Sequence, residues 1–231
     1  MPEKSSSSFT TEWLGSVPYA EGLALQLEAV SARREGQVGD RLLLLEHPPV
    51  ITLGRSSKPE NLLTSREALH ERGISVHEVA RGGDITFHGP GQLVGYPVFD
   101  LQARGAADVF AFLRKLESSL IAALATLGVR GAAVEGMTGV YIADSDPKRK
   151  IASIGIGVKR WVTFHGFALN LTLDPAAFSD IVPCGLNDVE MTSAARELGV
   201  APDRDFFEAG RRVVEDAFVR VFSAPAISGA D

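Results

Sequence analysis

Residues 81–92 constrain the fold of this chain more than any other stretch, and they read RGGDITFHGPGQ. Four of these twelve residues are glycine and one is proline. Glycine has no Cβ atom, so it tolerates positive φ angles and lets a ligand approach the backbone closely. Such a segment carries many backbone N–H groups and little apolar surface of its own. It suits either a tight turn between two strands or a wall that grips a small molecule, and composition alone favours neither.

The apolar spacing on both sides of this segment predicts helices and strands. Apolar residues at intervals of three and four predict helices at 18–34, 65–72, 108–127, 192–198 and 203–222. In the first helix, Leu23, Leu27 and Val30 form the predicted buried stripe. Apolar or alternating runs predict strands at 41–46, 50–53, 74–79, 92–100, 139–143, 150–160 and 161–173. Pro97 indicates an edge position or a bulge in its strand, because proline cannot donate a ladder hydrogen bond.

These elements predict one α/β (α+β) domain at residues 9–222, built as a mixed β-sheet flanked by helices. The polar segment 144–149 predicts a hairpin turn between antiparallel strands, which makes the sheet mixed rather than doubly wound. Residues 175–178 predict a short turn or helix. We expect residues 1–8 and 223–231 to be tails.

The overall charge and the single cysteine disfavour several classes of protein. The chain has 23 basic and 29 acidic residues, and this net charge of −6 disfavours wholesale binding to nucleic acid. No apolar run approaches the roughly 18 residues that span a bilayer, and residues 1–8 lack the apolar core of a signal peptide. Cys184 is the only cysteine, so neither an intrachain disulfide nor a cysteine-based metal site is expected. We therefore expect a cytoplasmic protein with no nucleic-acid or membrane partner.

The histidines and glycines match no familiar metal or nucleotide motif. The histidines show none of the H-x3-H or HExxH spacings of zinc sites; they are His47, His70, His77, His88 and His165. Residues 81–92 match neither the G-x-x-x-x-G-K-[ST] loop nor the G-x-G-x-x-G turn that opens a helix. The G-x-S-x-G elbow of serine hydrolases is also absent from the sequence. We therefore expect neither a metal nor a nucleotide cofactor.

Cys184 is a candidate nucleophile. Most free cysteines are small buried hydrophobic residues, and that interpretation stays open. Cys184 lies between Pro183 and Gly185, at a break in the apolar periodicity. A cysteine on such a turn can be exposed and stabilised as thiolate by N–H groups or by a nearby cation.

Lys150 is the second candidate, at the start of the predicted strand 150–160. Because strand side chains alternate between faces, Lys150 shares a face with Ala152 and Ile154, and Ser153 lies on the other. This pattern points the ammonium toward the covered side of the sheet. The alternative is a solvated lysine that continues the charged turn before it. A partly desolvated lysine beside a thiol lowers the thiol pKa and acts as a base when neutral.

The following strand divides its residues in a similar way. Strand alternation places two sets on opposite faces, His165, Phe167, Leu169 and Leu171 on one and Gly166, Ala168 and Asn170 on the other. On the preceding strand, Gly155 and Gly157 leave room against the sheet. The pattern indicates either a slot for an extended apolar chain or a surface for close helix packing.

Four blocks of sequence, taken in order, match the signature of one enzyme family. Residues 81–92 match R-G-G-x-x-T-[YF]-H-G-P-G-Q, and residues 150–155 match K-[IV]-[AG]-[SA]-[ILV]-G. Residues 165–170 match H-G-x-A-x-N, and residues 183–185 match P-C-G. Together they resemble the octanoyltransferase family, the lipoyl(octanoyl) transferases of lipoate biosynthesis, over roughly residues 42–222. Asp84 and Phe87 stand where glutamine and tyrosine are common in the family, which puts no function in doubt.

The resemblance implies the fold of biotin and lipoate protein ligases and a role for each matched residue. Cys184 would be the nucleophile that takes an octanoyl group as a thioester. Lys150 would keep Cys184 as thiolate and then help to deprotonate the acceptor lysine. The implied substrate-binding residues are Arg81, Gly82, Gly83, Asp84, Ile85, Thr86, Phe87, His88, Ser153, Ile154, Gly155, Gly166, Phe167 and Ala168, with His165 and Asn170 in support.

The resemblance also implies partners and no cofactor. The donor would be octanoyl-acyl carrier protein, and the acceptors would be lipoyl domains of 2-oxoacid dehydrogenase E2 subunits and the glycine cleavage H protein. Because such carrier domains are typically acidic in this family, docking requires local positive charge. Candidate cations are Lys148, Arg149, Lys159 and Arg160, and the alternative is that these are solvated hairpin charges.

Two other functions stay open at the level of sequence. An ATP-dependent lipoate or biotin ligase of the same fold would need a nucleotide-binding loop and would have no use for a nucleophilic cysteine. A non-catalytic module that binds acyl chains or carrier proteins would bind without turnover, and the pKa of its cysteine would stay near the free value.

Overall fold

Eleven strands and five α-helices make up the part of the chain that the computed structural model describes, residues 9–185 and 188–223 without the side chain of Cys184. The strands are β1 (Phe9–Ser16), β2 (Asp40–Glu46), β3 (Val50–Leu53), β4 (Ser75–Glu78), β5 (Ile85–His88), β6 (Gln92–Val98), β7 (Gly131–Val134), β8 (Met137–Ile142), β9 (Lys148–Lys159), β10 (Val162–Asn170) and β11 (Val189–Met191). The helices are α1 (Tyr19–Arg34), α2 (Arg66–Glu71), α3 (Val109–Leu127), α4 (Ala194–Leu198) and α5 (Arg204–Ser223). Short 3₁₀ helices lie at Pro59–Asn61, Pro175–Phe178 and Pro183–Gly185.

Eight of the strands form one mixed sheet in the order β1-β2-β6-β10-β9-β8-β7, with β11 paired to β9. The β1–β2 and β11–β9 pairs are parallel, and the other neighbours in this sheet are antiparallel. A separate three-stranded sheet has the order β4-β3-β5. The predicted fold class, a mixed sheet flanked by helices, is confirmed.

Strand β2 shows how the core is divided between the two faces of the large sheet. Leu42 and Leu44 are buried in the main core cluster, which also contains the apolar sides of α3 and α5. Leu43 and Leu45 belong to a second cluster on the opposite face, where α1 packs. The apolar run in β2 is therefore buried on both faces, as its sequence predicts.

The five predicted helices are confirmed to within two residues at either end. For α3, the side chain of Asp108 accepts hydrogen bonds from the N–H groups of Phe110 and Ala111 at 2.8 and 3.0 Å. Such an N-cap satisfies N–H groups that have no partner within the helix. The helix ends at Gly128, which has a φ of 90° that glycine adopts without strain.

Two sequence predictions about the fold are corrected by the structure. Leu27 is 43% exposed and Leu23 is only partly buried, whereas Val30 is buried as predicted; the buried face of α1 also carries Gly22, Gln26 and Ala29. That face includes a polar residue, so apolar spacing does not reveal it. Pro97 is not on an edge, because β6 lies between β2 and β10.

The proline nevertheless coincides with an interruption of the ladder. The β6–β10 pairing runs from Gln92 to Gly95, and a single bridge then joins Asp100 to Val162. The missing N–H of Pro97 falls in the interval between them, which agrees with the predicted irregularity. Strands β1, β5, β7 and β11 were not predicted, and β5 lies inside the glycine-rich segment. The predicted tails at 1–8 and 224–231 lie outside the described residues, and Ser223 belongs to α5.

Truncation of Leu44 tests the position of the core. Leu44 is fully buried, so Leu44→Ala is expected to lower the free energy of unfolding by about 2–5 kcal/mol, through lost burial and a cavity. Denaturant unfolding measures this change. The control is Leu63→Ala, at a position that is 60% exposed, where we expect a change within about 0.5 kcal/mol. Equal losses at the two positions would contradict the assigned core.

Candidate active site

A cavity of about 250 Å³ lies between the large sheet and the small one. Its walls come from β5 with the loop before it, from β6, and from β8, β9 and β10. Most of the predicted site residues line it, namely Arg81, Gly83, Asp84, Ile85, Thr86, His88, Lys150, Ser153, Ile154, Gly155, His165, Gly166, Phe167 and Ala168. The structure thus brings three of the four sequence blocks to one cavity.

Two predicted binding residues have other contacts. Phe87 belongs to the core of the small sheet, where its ring centroid lies 5.8 Å from that of Phe178. Gly82 donates its backbone N–H to the carbonyl of Ile156 at 3.0 Å. This bond attaches the glycine-rich segment directly to β9.

A register shift brings Lys150 and Ser153 to the same cavity, although strand alternation predicts opposite faces. Val140 of β8 pairs with Ala152 of β9, but its neighbour Tyr141 pairs with Lys150. The irregularity inserts one extra residue in β9 and reverses the alternation. Lys150 therefore points to a covered side, as predicted, but it does not share a face with Ala152, which belongs to the helix-covered core.

Lys150 is 3% exposed and has defined contacts in this position. Its Nζ donates to the carbonyl oxygen of Thr138 at 3.0 Å and lies 5.3 Å from the ring centroid of Tyr141. Its own carbonyl oxygen accepts from the N–H of Thr192 at 3.0 Å. The solvated-lysine alternative is thereby excluded.

The turn that carries Cys184 packs against the same wall. Gly185 has a φ of 64°, and a Cβ atom there would lie 2.6 Å from Oδ2 of Asp84, so only glycine allows this approach. Asn61 connects the Cys184 turn to Asp84. Its Nδ2 donates to Oδ2 of Asp84 at 2.7 Å, and its carbonyl accepts from the N–H of Val182, just before the turn, at 2.8 Å. The side chain of Cys184 lies outside the described residues.

Asn170 positions the backbone of Thr192, which is hydrogen-bonded to Lys150. Its Nδ2 donates to the carbonyl of Thr192 at 2.9 Å, and its Oδ1 accepts from Nε2 of Gln92 at 2.9 Å. The N–H of Thr192 in turn donates to the backbone carbonyl of Lys150, and this bond extends the parallel pairing of β11 with β9. Asn170 thus supports the site through the backbone.

The polar residues of the glycine-rich segment bind one another and the small sheet. Arg81 donates from Nη2 to the carbonyl and to the hydroxyl of Thr52, both at 2.9 Å. The same hydroxyl lies 3.4 Å from Nε2 of His88, and Nδ1 of His88 lies 2.7 Å from Oε1 of Gln92. Because the Gln92 amide nitrogen donates elsewhere, its oxygen accepts and His88 Nδ1 carries the proton. This network joins the segment to the small sheet through β3 and to the large sheet through Gln92.

The glycines of β9 and β10 accommodate protein atoms. A Cβ atom on Gly155 would lie 2.8 Å from the carbonyl oxygen of Gly82, and one on Gly157 would lie 2.4 Å from the ring of Phe164. A Cβ atom on Gly166 would lie 2.1 Å from the carbonyl oxygen of Gly95. The expectation that Gly155 and Gly157 leave room for a ligand is therefore wrong, because the space is filled by the segment of residues 81–83 and by Phe164.

His165 faces the cavity, whereas strand alternation predicts that it lies with Phe167. Its φ is 55°, and its backbone N–H donates to Oε1 of Gln26 at 2.7 Å. Phe167, Leu169 and Leu171 do share a face, as predicted, and that face lies in the core beneath α3 and α5. The buried amide of Gln26 thus stabilises the conformation that turns the imidazole toward the site.

Three buried histidines near the cavity are neutral at pH 7. Burial lowers the pKa of His47 to about 4, of His88 to about 3 and of His165 to about 4. Nδ1 of His47 donates to the carbonyl of Val17 at 2.6 Å, since a carbonyl only accepts, and its Nε2 accepts from the hydroxyl of Tyr96 at 2.6 Å. His47 thus carries a proton on Nδ1 and none on Nε2, which is the neutral form of the ring.

Sequence reasoning missed several residues of the cavity wall, among them Tyr19, Tyr96, Thr138 and Tyr141. Burial raises the pKa of Tyr19 to about 12, so its hydroxyl keeps its proton. The motif blocks lie elsewhere, and no spacing in the sequence marks these residues. Within residues 9–185 and 188–223, the buried Tyr19 hydroxyl, Thr86 hydroxyl and His165 Nε2 have no protein hydrogen-bond partner. Part of the wall is therefore polar.

The four predicted docking cations are not brought together. Lys148 and Arg149 begin β9, whereas Lys159 ends it and Arg160 follows. Twelve strand residues extend over roughly 35–40 Å. Arg149 is also bound in a bidentate ion pair with Glu197, at 2.9 and 3.0 Å. Only the first two cations lie at the Lys150 end of the strand.

Metal-ligating clusters and membrane-spanning helices are both absent from the described part of the chain. Across that part of the chain, no group of three or more histidine, cysteine, aspartate or glutamate side chains is placed to coordinate a metal ion. None of its helices combines the length and apolar character that crossing a bilayer requires.

Two solved structures share the fold. Lipoate-protein ligase A bound with ATP has a TM-score of 0.68 at 14% identity, covering 93% of this chain and 85% of the other. The bi-partite lipoate protein ligase from Thermoplasma acidophilum has a TM-score of 0.59 at 15% identity, covering 94% and 82%. The protein therefore has the fold of lipoate protein ligases.

Sequence comparison identifies the family within this fold. The profile of the lipoyl protein ligase A/B catalytic domain matches residues 18–218. The octanoyltransferase of Acidobacterium capsulatum is 49% identical over 193 residues, covering 80% of this chain and 78% of the relative. That of Solibacter usitatus is 44% identical over 217 residues, covering 94% of each. The chain belongs to the octanoyltransferase family and is an acyltransferase.

The lowered pKa of His47 predicts a loss of stability in acid. Its pKa is about 4 in the folded protein against 6.5 when unperturbed, so between these values the unfolded chain binds more protons. Stability therefore falls as pH drops from about 6.5 toward 4, by on the order of 2 kcal/mol at pH 5 for this residue. Denaturant unfolding of the wild type and His47→Gln at pH 7 and pH 5 should show a smaller difference in the variant.

The exposed His70 provides the control. His70→Gln is expected to retain the pH dependence of the wild type. If His47→Gln retained it as well, the assignment of a neutral buried His47 would be wrong.

Proposed function

We propose that this protein transfers an octanoyl group from octanoyl-acyl carrier protein to the acceptor lysine of lipoyl domains, through a thioester on Cys184. The observation that carries the proposal is the buried Lys150 ammonium in the cavity formed by three matched sequence blocks. The Cys184 turn packs on Asp84 of the same cavity. The acceptors would be E2 subunits of 2-oxoacid dehydrogenases and the glycine cleavage H protein, in the cytoplasm, within one catalytic domain at residues 9–222.

In the first step, the Cys184 thiolate attacks the carbonyl carbon of the octanoyl thioester. The tetrahedral intermediate collapses, the carrier thiolate leaves and takes the proton of the Lys150 ammonium, and the octanoyl group remains on Cys184. A lysine ammonium close to a cysteine favours its thiolate form. Because one thioester replaces another, the step conserves bond energy and requires no ATP.

In the second step, the amine of the acceptor lysine attacks the Cys184 thioester. Free lysine has a pKa of about 10.4, so its amine is mostly protonated at pH 7 and must lose a proton before it attacks. Lys150, which is neutral after the first step, would accept that proton and return to its ammonium form. An amide bond forms, the carbon–sulfur bond breaks, and the Cys184 thiolate is regenerated.

The tetrahedral intermediates require donors for their oxyanion. The candidate donors are N–H groups around Cys184 and Gly185 or in the glycine-rich segment. The N–H of Gly185 already donates to the carbonyl of Val182 at 3.0 Å, and that of Gly82 donates to Ile156. Those two groups are therefore poor candidates, and we propose the N–H groups of Gly83 and Cys184 for this role.

The acyl chain would lie along β9 and β10, away from Lys150. Apolar side chains in the wall include Val94, Met137 and Ala168. Ala168 lies opposite Ser153 in the ladder, between Lys150 and the polar wall at His165. This arrangement supports an extended chain whose thioester end is at Lys150.

An acyl-enzyme test distinguishes this function from an ATP-dependent ligase, whose fold it shares. Incubation with octanoyl-acyl carrier protein should add the mass of one octanoyl group to the protein, located on Cys184 by peptide mass spectrometry. Cys184→Ala should give no adduct. Lys150→Ala should slow adduct formation by roughly 10²-fold or more, because it removes the group that activates the thiol.

Lys159→Ala, at the exposed far end of β9, is the matched control and should form the adduct at the wild-type rate. Transfer from free octanoate that depends on ATP, with no adduct on Cys184, would overturn the proposal. Tight binding of the carrier protein without any transfer would instead support a non-catalytic binding module.

The position of the acyl chain can be tested at Ala168, which is buried in the cavity wall. Ala168→Val adds two methyl groups where the distal part of an octanoyl chain would lie. We expect kcat/KM for octanoyl transfer to fall by about 10–200-fold, with a smaller loss for butanoyl transfer. Steady-state kinetics with both donors measures the ratio, and thermal unfolding checks the fold.

Ala111→Val, on an exposed part of α3, should leave both rates unchanged. Equal losses for the two acyl groups in Ala168→Val would contradict the proposed path of the chain.

A further inference from the structure

Glu117 is a buried carboxylate that the proposed chemistry does not use. It lies on α3, which covers the helix side of the large sheet, and it is 1% exposed. Its Oε2 accepts from Nη1 of Arg114 at 2.5 Å, and its Oε1 accepts from the backbone N–H of Gly139 at 3.0 Å. Burying a carboxylate is costly unless it has such partners, so its position calls for a reason.

The peptide group between Thr138 and Gly139 has charged side chains bonded to both of its ends. Its N–H donates to Glu117, and its carbonyl oxygen accepts from Nζ of Lys150, each at 3.0 Å. A negative charge at the N–H and a positive charge at the carbonyl polarise the peptide in the same direction. Each hydrogen bond therefore strengthens the other.

Gly139 allows this arrangement. Its φ is 121°, and a Cβ atom would lie 2.5 Å from the carbonyl oxygen of Ala152 and 2.8 Å from Cε of Lys150. Any other residue would push the lysine side chain off the peptide. The backbone is thus shaped so that Lys150 lies across this peptide group, with Glu117 behind it.

We propose that Glu117 is a positioning residue that stabilises Lys150 as an ammonium through the Thr138–Gly139 peptide group. The inference rests on the proposed role of Lys150 in keeping Cys184 as thiolate. Two hydrogen bonds through one peptide group would then connect the Glu117 carboxylate, in the helical layer, with the Lys150 ammonium in the cavity.

Other charged or titratable groups also face Lys150. Tyr141 contributes its ring from β8, and Arg81 and Asp84 line the cavity from the glycine-rich segment. The Cys184 turn faces the same wall. Arg114, half exposed on α3, neutralises part of the Glu117 charge from the helix side. These groups also affect the charge state of Lys150, so the contribution of Glu117 is measured as the difference between the wild type and a variant that changes Glu117 alone.

Glu117→Gln provides the test, because its amide oxygen can still accept from Gly139 while the charge is removed. The titration midpoint of Lys150, followed by NMR of its side-chain nitrogen, should fall by about one pH unit. The midpoint pH of Cys184 alkylation by iodoacetamide should rise, because a smaller fraction of Lys150 is charged at a given pH and stabilises the thiolate less. Glu117→Asp should restore part of both shifts.

Ser119→Ala is the matched control, a buried polar side chain on the same helix whose hydroxyl donates to the carbonyl of Lys115. It should leave the Lys150 titration unchanged. If Glu117→Gln lowered only the melting temperature and left the titration of Lys150 in place, Glu117 would be a structural cap of Gly139 and the inference would be wrong.

A second measurement does not depend on the Glu117 variants folding. In Lys150→Met, the amide proton of Gly139 should move upfield, because its hydrogen bond to Glu117 loses the polarisation from the lysine. An unchanged resonance would overturn the link. Failure of the proposed function is distinguishable from failure of this inference. Wild-type protein that forms no Cys184 adduct would contradict the function, whereas the Lys150 titration and the Gly139 amide shift test the link by themselves.

Discussion

The burial of the Lys150 ammonium is the constraint on which the rest of the site depends. A buried charge is destabilising unless hydrogen bonds and opposite charge offset its loss of water. Here the Thr138 carbonyl, the Tyr141 ring and the peptide link to Glu117 stabilise it. The register shift between β8 and β9 supplies the geometry, because without it the lysine would enter the helix-covered core.

The glycine-rich segment that dominates the sequence acts mainly as structure. Its arginine, histidine and glutamine form one hydrogen-bonded network with the small sheet, and Gly155 of β9 allows the backbone of the segment to approach that strand at short distance. The segment therefore closes the cavity between two sheets. Its carboxylate Asp84 also supports the turn that carries Cys184, so the same wall reaches both proposed reactive residues.

Periodicity and motif order predicted much of the fold and site. The helices, the mixed sheet and the shared neighbourhood of residues 81–88, 150–155 and 165–168 follow from local apolar spacing and from the family resemblance. The face of Lys150 relative to Ala152 did not follow, because a one-residue register shift reverses alternation without any mark in the sequence. The orientation of His165 depends on a hydrogen bond to Gln26, which lies 139 positions away. Glu117 lies in an apolar stripe, where spacing suggests only a helix face.

The central claim is that an acyl chain bound to Cys184 lies between the two sheets with its thioester at Lys150. A crystal structure of the octanoyl adduct tests it most directly. We predict continuous density from Sγ of Cys184, past Lys150 and Ser153, along β9 and β10 toward His165. An adduct whose chain lies on the outer surface, with Lys150 remote from the thioester carbonyl, would contradict the account.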